Sequence, residues 1–120
     1  MFIISNLFDV SGKVVIVSGG SRGIGEMITA GYLANGAKVY ITARKEAPLI
    51  LKAKELSDRY NAECIAIPCD LSTITGINNF YDQVSEKEKH VDILVNNAGA
   101  AWGEPYESFS EGGWDKVMNI

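Results

Sequence analysis

The chain has 120 residues, the size of one small domain, and its 47% hydrophobic and 22% charged residues are typical of a globular protein. Eleven Lys and Arg residues against fifteen Asp and Glu give a net charge of −4, which argues against nucleic acid or an anionic membrane surface as a partner. Residues 1–10 lack the basic residues of a secretory signal, and no apolar run approaches the roughly 20 residues that span a bilayer, so we expect a cytoplasmic protein.

Short apolar runs alternate along the chain with segments of helical periodicity. The pattern predicts four strands, over residues 13–18, 37–42, 63–68 and 91–96. It predicts four helices. The first covers 24–35 and ends at Gly36, the second covers about 47–60, the third follows a cap at Ser72, and the fourth covers 111–120. This alternation predicts an α/β fold, a Rossmann-type doubly wound parallel sheet of about four strands, as a single domain over residues 1–120.

Two cysteines, Cys64 and Cys69, flank the third predicted strand. Their odd separation would place them on opposite faces of a strand, so we expect two unpaired thiols. A metal site would need more ligands nearby, and the only histidine, His90, lies far along the chain. We therefore expect no metal site.

A glycine-rich turn follows the first predicted strand, with Gly19, Gly23 and Gly25 in the spacing Gly-x3-Gly-x-Gly. Gly19 would allow a sharp turn, Gly23 would let the backbone approach a pyrophosphate, and Gly25 would let the helix pack closely on the strand. A pyrophosphate would then meet the free amides of the helix that begins near Ile24. The alternative is a flexible turn without a ligand, but its place between a strand and a helix favours phosphate binding.

The end of the second predicted strand bears on the choice of cofactor. NAD-binding sheets place an acidic residue about 20 positions after the glycines, where it holds the ribose 2′-hydroxyl. Here the strand ends in Thr42-Ala43-Arg44, and Arg44 offers a planar donor fork for a phosphate, with Arg22 in the glycine turn nearby. These residues favour NADPH over NADH. The alternative is that both arginines are merely solvated surface residues.

The third and fourth predicted strands also end in polar or small residues. Asp70 could accept a hydrogen bond from an adenine amino group, or it could cap the next helix. Asn96-Asn97-Ala98-Gly99 could let the backbone run beside a ribose while the Asn side chains hold the loop, or it could be a simple turn. Because all these signals fall at the same edge of the predicted sheet, together they indicate a dinucleotide site.

These motifs resemble the short-chain dehydrogenase/reductase family over essentially the whole chain. The resemblance lies in Ser18-Gly19-x3-Gly23-Ile24-Gly25, Asp70-Leu71, Asn96-Asn97-Ala98-Gly99 and Trp114-Asp115-Lys116-Val117. It implies that Ser21, Arg22, Gly23 and Ile24 contact the pyrophosphate, Arg44 the 2′-phosphate, Asp70 and Leu71 the adenine, and Asn97, Ala98 and Gly99 the ribose side. Residues 101–103, 107–109 and 113–118 resemble more narrowly the 3-oxoacyl and rhamnolipid-biosynthesis reductases.

The resemblance implies an oxidoreductase that transfers a hydride from NADPH to a ketone or 3-oxoacyl substrate, in a seven-stranded protein that commonly forms tetramers. The family's proton donor is a Tyr followed four residues later by a Lys, and none of the five tyrosines here has that partner. We therefore predict no catalytic residue in this chain, a domain truncated before the catalytic Ser and Tyr-x3-Lys, and no activity of the chain alone. The alternative is a non-catalytic NADP-binding sensor or scaffold.

Overall fold

A computed structural model describes residues 7–100 and 102–119. In this part of the chain, four parallel strands alternate with four α-helices, which confirms the α/β prediction. In chain order the elements are β1 (Val14–Ser18), α1 (Gly23–Ala34), β2 (Lys38–Thr42), α2 (Glu46–Tyr60), β3 (Cys64–Ala66), α3 (Ile74–Lys87), β4 (Ile93–Val95), a 3₁₀ turn (Tyr106–Ser108) and α4 (Glu111–Met118).

The sheet has the order β3-β2-β1-β4. After β3 the chain passes back over β2 and β1 and adds β4 on the side of β1 opposite β2. Val15 is in register with Val39 of β2 on one side and with Ile93 of β4 on the other. The order of strands therefore reverses between β1 and β4, and their carboxyl ends lie at one edge of the sheet. In open parallel sheets this crevice is where ligands bind.

One face of the sheet is covered by α1 and α2. Side chains alternate between the two faces of a strand, and this face receives Val15 and Val17 of β1 together with Val39 and Ile41 of β2. The helices contribute buried apolar residues at helical spacing: Leu33, Leu49, Ala53 and Leu56. This is the main core of the molecule.

The opposite face is covered by α3. Val14, Ile16, Tyr40 and Ile67 point to this side, and Val84 is the buried residue of α3 that packs on them. A groove of about 650 Å³ remains open between α3 and β4, beside the exposed side chain of Leu94. The α3 face is therefore much less completely packed than the face under α1 and α2.

The ends of the elements differ slightly from the predictions. Strand β3 stops at Ala66, but backbone bonds continue the pairing with β2, from Ile67 N to Ile41 O and from Cys69 N to Ala43 O. The prediction that Ser72 caps α3 is wrong. Thr73 is the cap and accepts from the Gly76 amide at 3.0 Å, because the Ser72 amide and hydroxyl are both engaged by Asp70.

Other local predictions agree with the structure. Gly36 ends α1 in the left-handed region with φ +86°, and Cys64 and Cys69 are free thiols. The prediction that the last helix reaches residue 120 ends outside the described residues, since α4 is described to Met118. In the part of the chain that the structure describes, no helix has the length and apolarity needed to cross a membrane.

Candidate functional site

The turn after β1 is shaped by its glycines. Gly19 has φ +67°, which turns the chain sharply at the end of the strand, and its amide donates to the Thr42 carbonyl at 2.9 Å. Helix α1 begins at Gly23 with φ +58°, one residue before the predicted start. Arg22 occupies the N-cap and its side chain makes no capping hydrogen bond. The first amides of α1 are therefore available to an anion.

Gly25 brings three segments into close contact. A methyl group at this position would overlap the carbonyl group of Gly19 and stand 2.6 Å from Asn97 Nδ2. The prediction placed the close approach between helix and strand. The structure places it between α1, the glycine turn and the loop after β4. Glycine is thus required where these segments meet.

Ser18 joins the loop after β4 to the end of β1. Its buried hydroxyl oxygen accepts from the amides of Asn97 at 3.0 Å and Ala98 at 2.9 Å, and the hydroxyl donates to the Val95 carbonyl at 3.3 Å. The Asn97 side chain donates to Gly19 O at 3.2 Å, so an Asn does hold this loop as predicted. Sequence reasoning assigned no role to Ser18, although a hydroxyl directly before Gly19 was the available signal.

The ends of β2 and β3 are joined by side chains. The buried Thr42 hydroxyl and the Cys69 thiol are hydrogen-bonded at 2.9 Å. Asp70 accepts from the Ser72 amide at 3.0 Å and from its hydroxyl at 2.6 Å, and these bonds, with a smaller contribution from Arg44, lower the pKa of the carboxyl group. Of the two roles proposed for Asp70, the helix cap is wrong, because Thr73 performs it.

These strand ends surround one cavity of about 590 Å³. Ten of the twelve predicted site residues line it: Gly19, Ser21, Arg22, Gly23, Arg44, Asp70, Leu71, Asn97, Ala98 and Gly99. The other two do not: Ile24 is exposed on α1, and Gly25 is buried behind the turn. Residues that the sequence analysis missed complete the lining: Ala43, Lys45, Pro48, Cys69 and Ser72.

The cavity is locally basic on a chain that is acidic as a whole. Arg22, Arg44 and Lys45 line it against the single carboxylate of Asp70. Within residues 7–100 and 102–119, the ion pairs involve other cations, and none uses these three. A concave site with free cations and uncapped helix amides suits a ligand that carries several phosphates.

A family model described as short chain dehydrogenase matches residues 13–120. The chain belongs to this family. It is 43% identical over 113 residues to the rhamnolipids biosynthesis 3-oxoacyl-[acyl-carrier-protein] reductase of Pseudomonas aeruginosa, covering 94% of this chain and 43% of that protein. The predicted likeness to rhamnolipid-type reductases is confirmed, and the chain spans less than half of that relative's length.

Solved structures of the family match the fold closely. The Pseudomonas aeruginosa RhlG/NADP active-site complex aligns with a TM-score of 0.87 at 45% identity, over 93% of this chain and 43% of that one. A short-chain dehydrogenase/reductase from Burkholderia phymatum in complex with NAD aligns with a TM-score of 0.86 at 26% identity, over 94% of this chain and 40% of that one. Family members of this fold thus include complexes with either cofactor.

Proposed function

We propose that this chain binds NADPH in the cavity at the carboxyl ends of its strands. One observation carries the proposal: residues from four separate strand ends, selected from the sequence as a dinucleotide site, surround a single basic cavity. The likeness to the NADP complex of RhlG supports the choice of ligand. The bound cofactor would supply the hydride for the reduction of a carbonyl group.

The lining residues fit the parts of a dinucleotide. The amides at the start of α1, reached through Gly23, would hold the pyrophosphate, since no atom lies within 4 Å of the Cβ position there. Arg44, with Arg22 and Lys45, would hold the 2′-phosphate. Asp70 and Leu71 would contact the adenine, and Asn97 to Gly99 would lie along the ribose.

The preference for NADPH rests on Arg44, two residues after the end of β2. A carboxylate at this strand end would accept from a ribose 2′-hydroxyl and repel a 2′-phosphate. The chain has Arg44 there instead, in a cavity with two further cations. A charge-assisted hydrogen bond from a guanidinium group to a phosphate stabilises only the phosphorylated cofactor.

We further propose that the chain is the cofactor-binding part of a cytoplasmic, homo-oligomeric reductase of ketones or 3-oxoacyl compounds. The relative from Pseudomonas aeruginosa is named for such a reaction. No tyrosine of the chain has a lysine four residues later, so these 120 residues are expected to bind the cofactor without reducing a carbonyl compound by themselves.

The test is a titration of the chain with NADPH and with NADH, followed by cofactor fluorescence, in the parent and in Arg44→Ala. Loss of a charge-assisted bond is worth about 1.5–3 kcal/mol, so the affinity for NADPH should fall roughly tenfold or more. The affinity for NADH should hardly change. Arg59→Ala, in the last turn of α2, is the matched control. Equal affinity of the parent chain for both cofactors would overturn the 2′-phosphate assignment.

A further inference from the structure

The carboxylate of Glu104 organises the segment between β4 and α4. Glu104 Oε1 accepts from Trp102 Nε1 at 2.6 Å and from the Ser110 hydroxyl at 2.7 Å, while Oε2 accepts from the Ser110 amide at 2.7 Å. Ser110 is the N-cap of α4 and accepts from the Gly113 amide at 2.9 Å. One side chain thus ties Trp102 to the first turn of the helix.

Trp102 is held from other sides as well. Lys116 Nζ lies 3.4 Å from the centroid of the Trp102 ring, the geometry of a cation–π contact. Gly113 is buried beneath this cluster, and a methyl group there would stand 2.8 Å from Trp102 Cδ1 and 2.6 Å from Glu104 Oε1. Four residues, Glu104, Ser110, Gly113 and Lys116, therefore determine the position of one indole ring.

The ionic state of Glu104 suits this role. The Ser110 amide, the Trp102 indole N–H and the Ser110 hydroxyl all donate to the carboxylate and lower its pKa, and Lys116 adds a smaller attraction. The carboxylate accordingly stays charged at neutral pH, where bonds to a charged acceptor are stronger than bonds between neutral groups.

Although it is held so firmly, Trp102 keeps 48% of its surface exposed. It follows Gly99, which lines the cofactor cavity, by three residues, and three extended residues span at most roughly 11 Å. A large aromatic surface that is already ordered binds an apolar group at a small entropic cost. Trp102 is not among the residues that line the cavity, but the chain keeps it within roughly 11 Å of Gly99, which does.

We propose that Glu104 is a positioning residue that holds Trp102 as a fixed apolar surface beside the Gly99 side of the cofactor cavity, against which the apolar part of the substrate packs. The inference rests on the proposed function, because it places the substrate beside a dinucleotide in that cavity. It deepens that function by naming the substrate class as a carbonyl compound with an apolar chain or ring next to the reacting carbon.

The first experiment needs no cofactor. The chain has two tryptophans, so Trp114→Phe leaves Trp102 as the only one. In that background Glu104→Ala should lower the fluorescence anisotropy of Trp102 and about double its quenching by acrylamide, since an untethered exposed side chain changes rotamer within nanoseconds. Glu104→Gln keeps an acceptor oxygen for the indole N–H and should restore part of both signals. Glu107→Ala, in the 3₁₀ turn, is the control.

The second experiment adds ligands to the same Trp114→Phe chain. Excitation of Trp102 should produce sensitised emission from bound NADPH. Glu104→Ala should reduce the change in Trp102 emission that NADPH causes. The affinity for NADPH should stay within about twofold, because Glu104 does not line the cavity. With NADPH bound, methyl 3-oxodecanoate should alter the Trp102 emission more than methyl 3-oxobutanoate does. The Trp102→Phe variant in this background corrects for tyrosine emission.

The outcomes separate the two proposals. If calorimetry shows no NADPH binding, the proposed function fails, whereas the anisotropy data still decide whether Glu104 positions Trp102. If Glu104→Ala leaves anisotropy and quenching unchanged, the positioning role is overturned. If NADPH binds and the two esters affect Trp102 equally or not at all, the role of Trp102 as an apolar surface for the substrate is overturned.

Discussion

The two faces of the sheet differ in how completely their apolar side chains are buried. Under α1 and α2, the strand residues Val15, Val17, Val39 and Ile41 have no exposed surface, and Leu33, Leu49 and Leu56 of the helices are at most 2% exposed. On the other face, α3 buries Val84, while Ile77 and Tyr81 of the same helix and Leu94 of β4 remain exposed. Apolar burial is the main stabilising contribution in folding, so the first face supplies most of the stability.

The candidate site combines segments from the well-packed strands β1 and β2 with a segment from the less well-packed strand β4. The glycine turn and Arg44 extend from strands that the packed face holds rigidly. Asn97 to Gly99 extend from β4, the strand beside the open groove, and the hydrogen bonds that Asn97 and Ala98 donate to Ser18 and Gly19 fix this loop in place. We infer that the side of the cavity formed by the glycine turn and Arg44 is preformed, whereas the side formed by Asn97 to Gly99 depends on a few polar contacts. Local opening would therefore begin at the β4 side.

The largest expected effect tests the contrast between the faces directly. Leu56→Ala removes a side chain that is 2% exposed under α2, and such a cavity should cost about 2–5 kcal/mol of the free energy of unfolding. Ile77→Ala, on α3, removes a side chain that is 43% exposed and should cost less than about 1 kcal/mol. Urea unfolding measures both. Equal losses would show that the two faces contribute alike.

The next effect tests the junction at Gly25. Gly25→Ala would push a methyl group into the Gly19 carbonyl and the side-chain amide of Asn97. We expect the free energy of unfolding to fall by about 1–3 kcal/mol and NADPH binding to weaken. Gly31→Ala is the matched control in the same helix, because no atom lies within 4 Å of its Cβ position. That variant should be more stable than the parent by about 0.5–1 kcal/mol.

The outcomes at Gly25 and Gly31 bear on the geometry of the turn. If Gly25→Ala unfolded like the parent and bound NADPH normally, the three segments would have room to move apart, and the turn would not be the rigid end of the cavity. If both variants lost stability alike, the effect would come from the helix and not from the contact with Gly19 and Asn97.

Most of the fold follows from local patterns in the sequence. The short apolar runs indicated the strands, Gly19 and Gly36 indicated a turn and a helix end, and helical periodicity over about 47–60 indicated α2. The structure buries Leu49, Ala53 and Leu56 on one face of that helix. These signals agree with the structure because the same residues that favour each element also build the main core. The positions of site residues at strand ends followed from the parallel topology.

What the sequence could not predict depends on contacts between distant residues. Ser18 and Asn97 are 79 positions apart, and nothing local shows that the serine hydroxyl accepts from the amides after β4. Ser72 and Thr73 are adjacent, and both residue types are good N-caps, so the local sequence does not distinguish which of them caps α3. Only the structure shows that Asp70 engages Ser72 and leaves Thr73 for the helix.

The smallest expected effect concerns the polar cluster that attaches the end of α3 to β2. Glu88 Oε2 lies 2.6 Å from Lys38 Nζ and accepts from the Tyr40 hydroxyl at 2.5 Å, and the bond from Lys38 is the main cause that lowers the pKa of Glu88 below its usual 4.5. A carboxylate with a lowered pKa stabilises the fold above the pKa of the unfolded chain, and this stability is lost as the pH falls through the lower, folded value.

The free energy of unfolding should therefore decrease as the pH falls below about 4.5, and Glu88→Gln should remove part of that dependence, on the order of 1 kcal/mol for a partly exposed pair. Glu86→Gln, two residues earlier on α3, is the control. Because the cluster anchors the weaker face, protection of α3 amides against hydrogen exchange should fall with the pH before that of α1. If the amides of both helices lost protection together, the two faces would unfold as a single unit, and the contrast between them would concern packing alone.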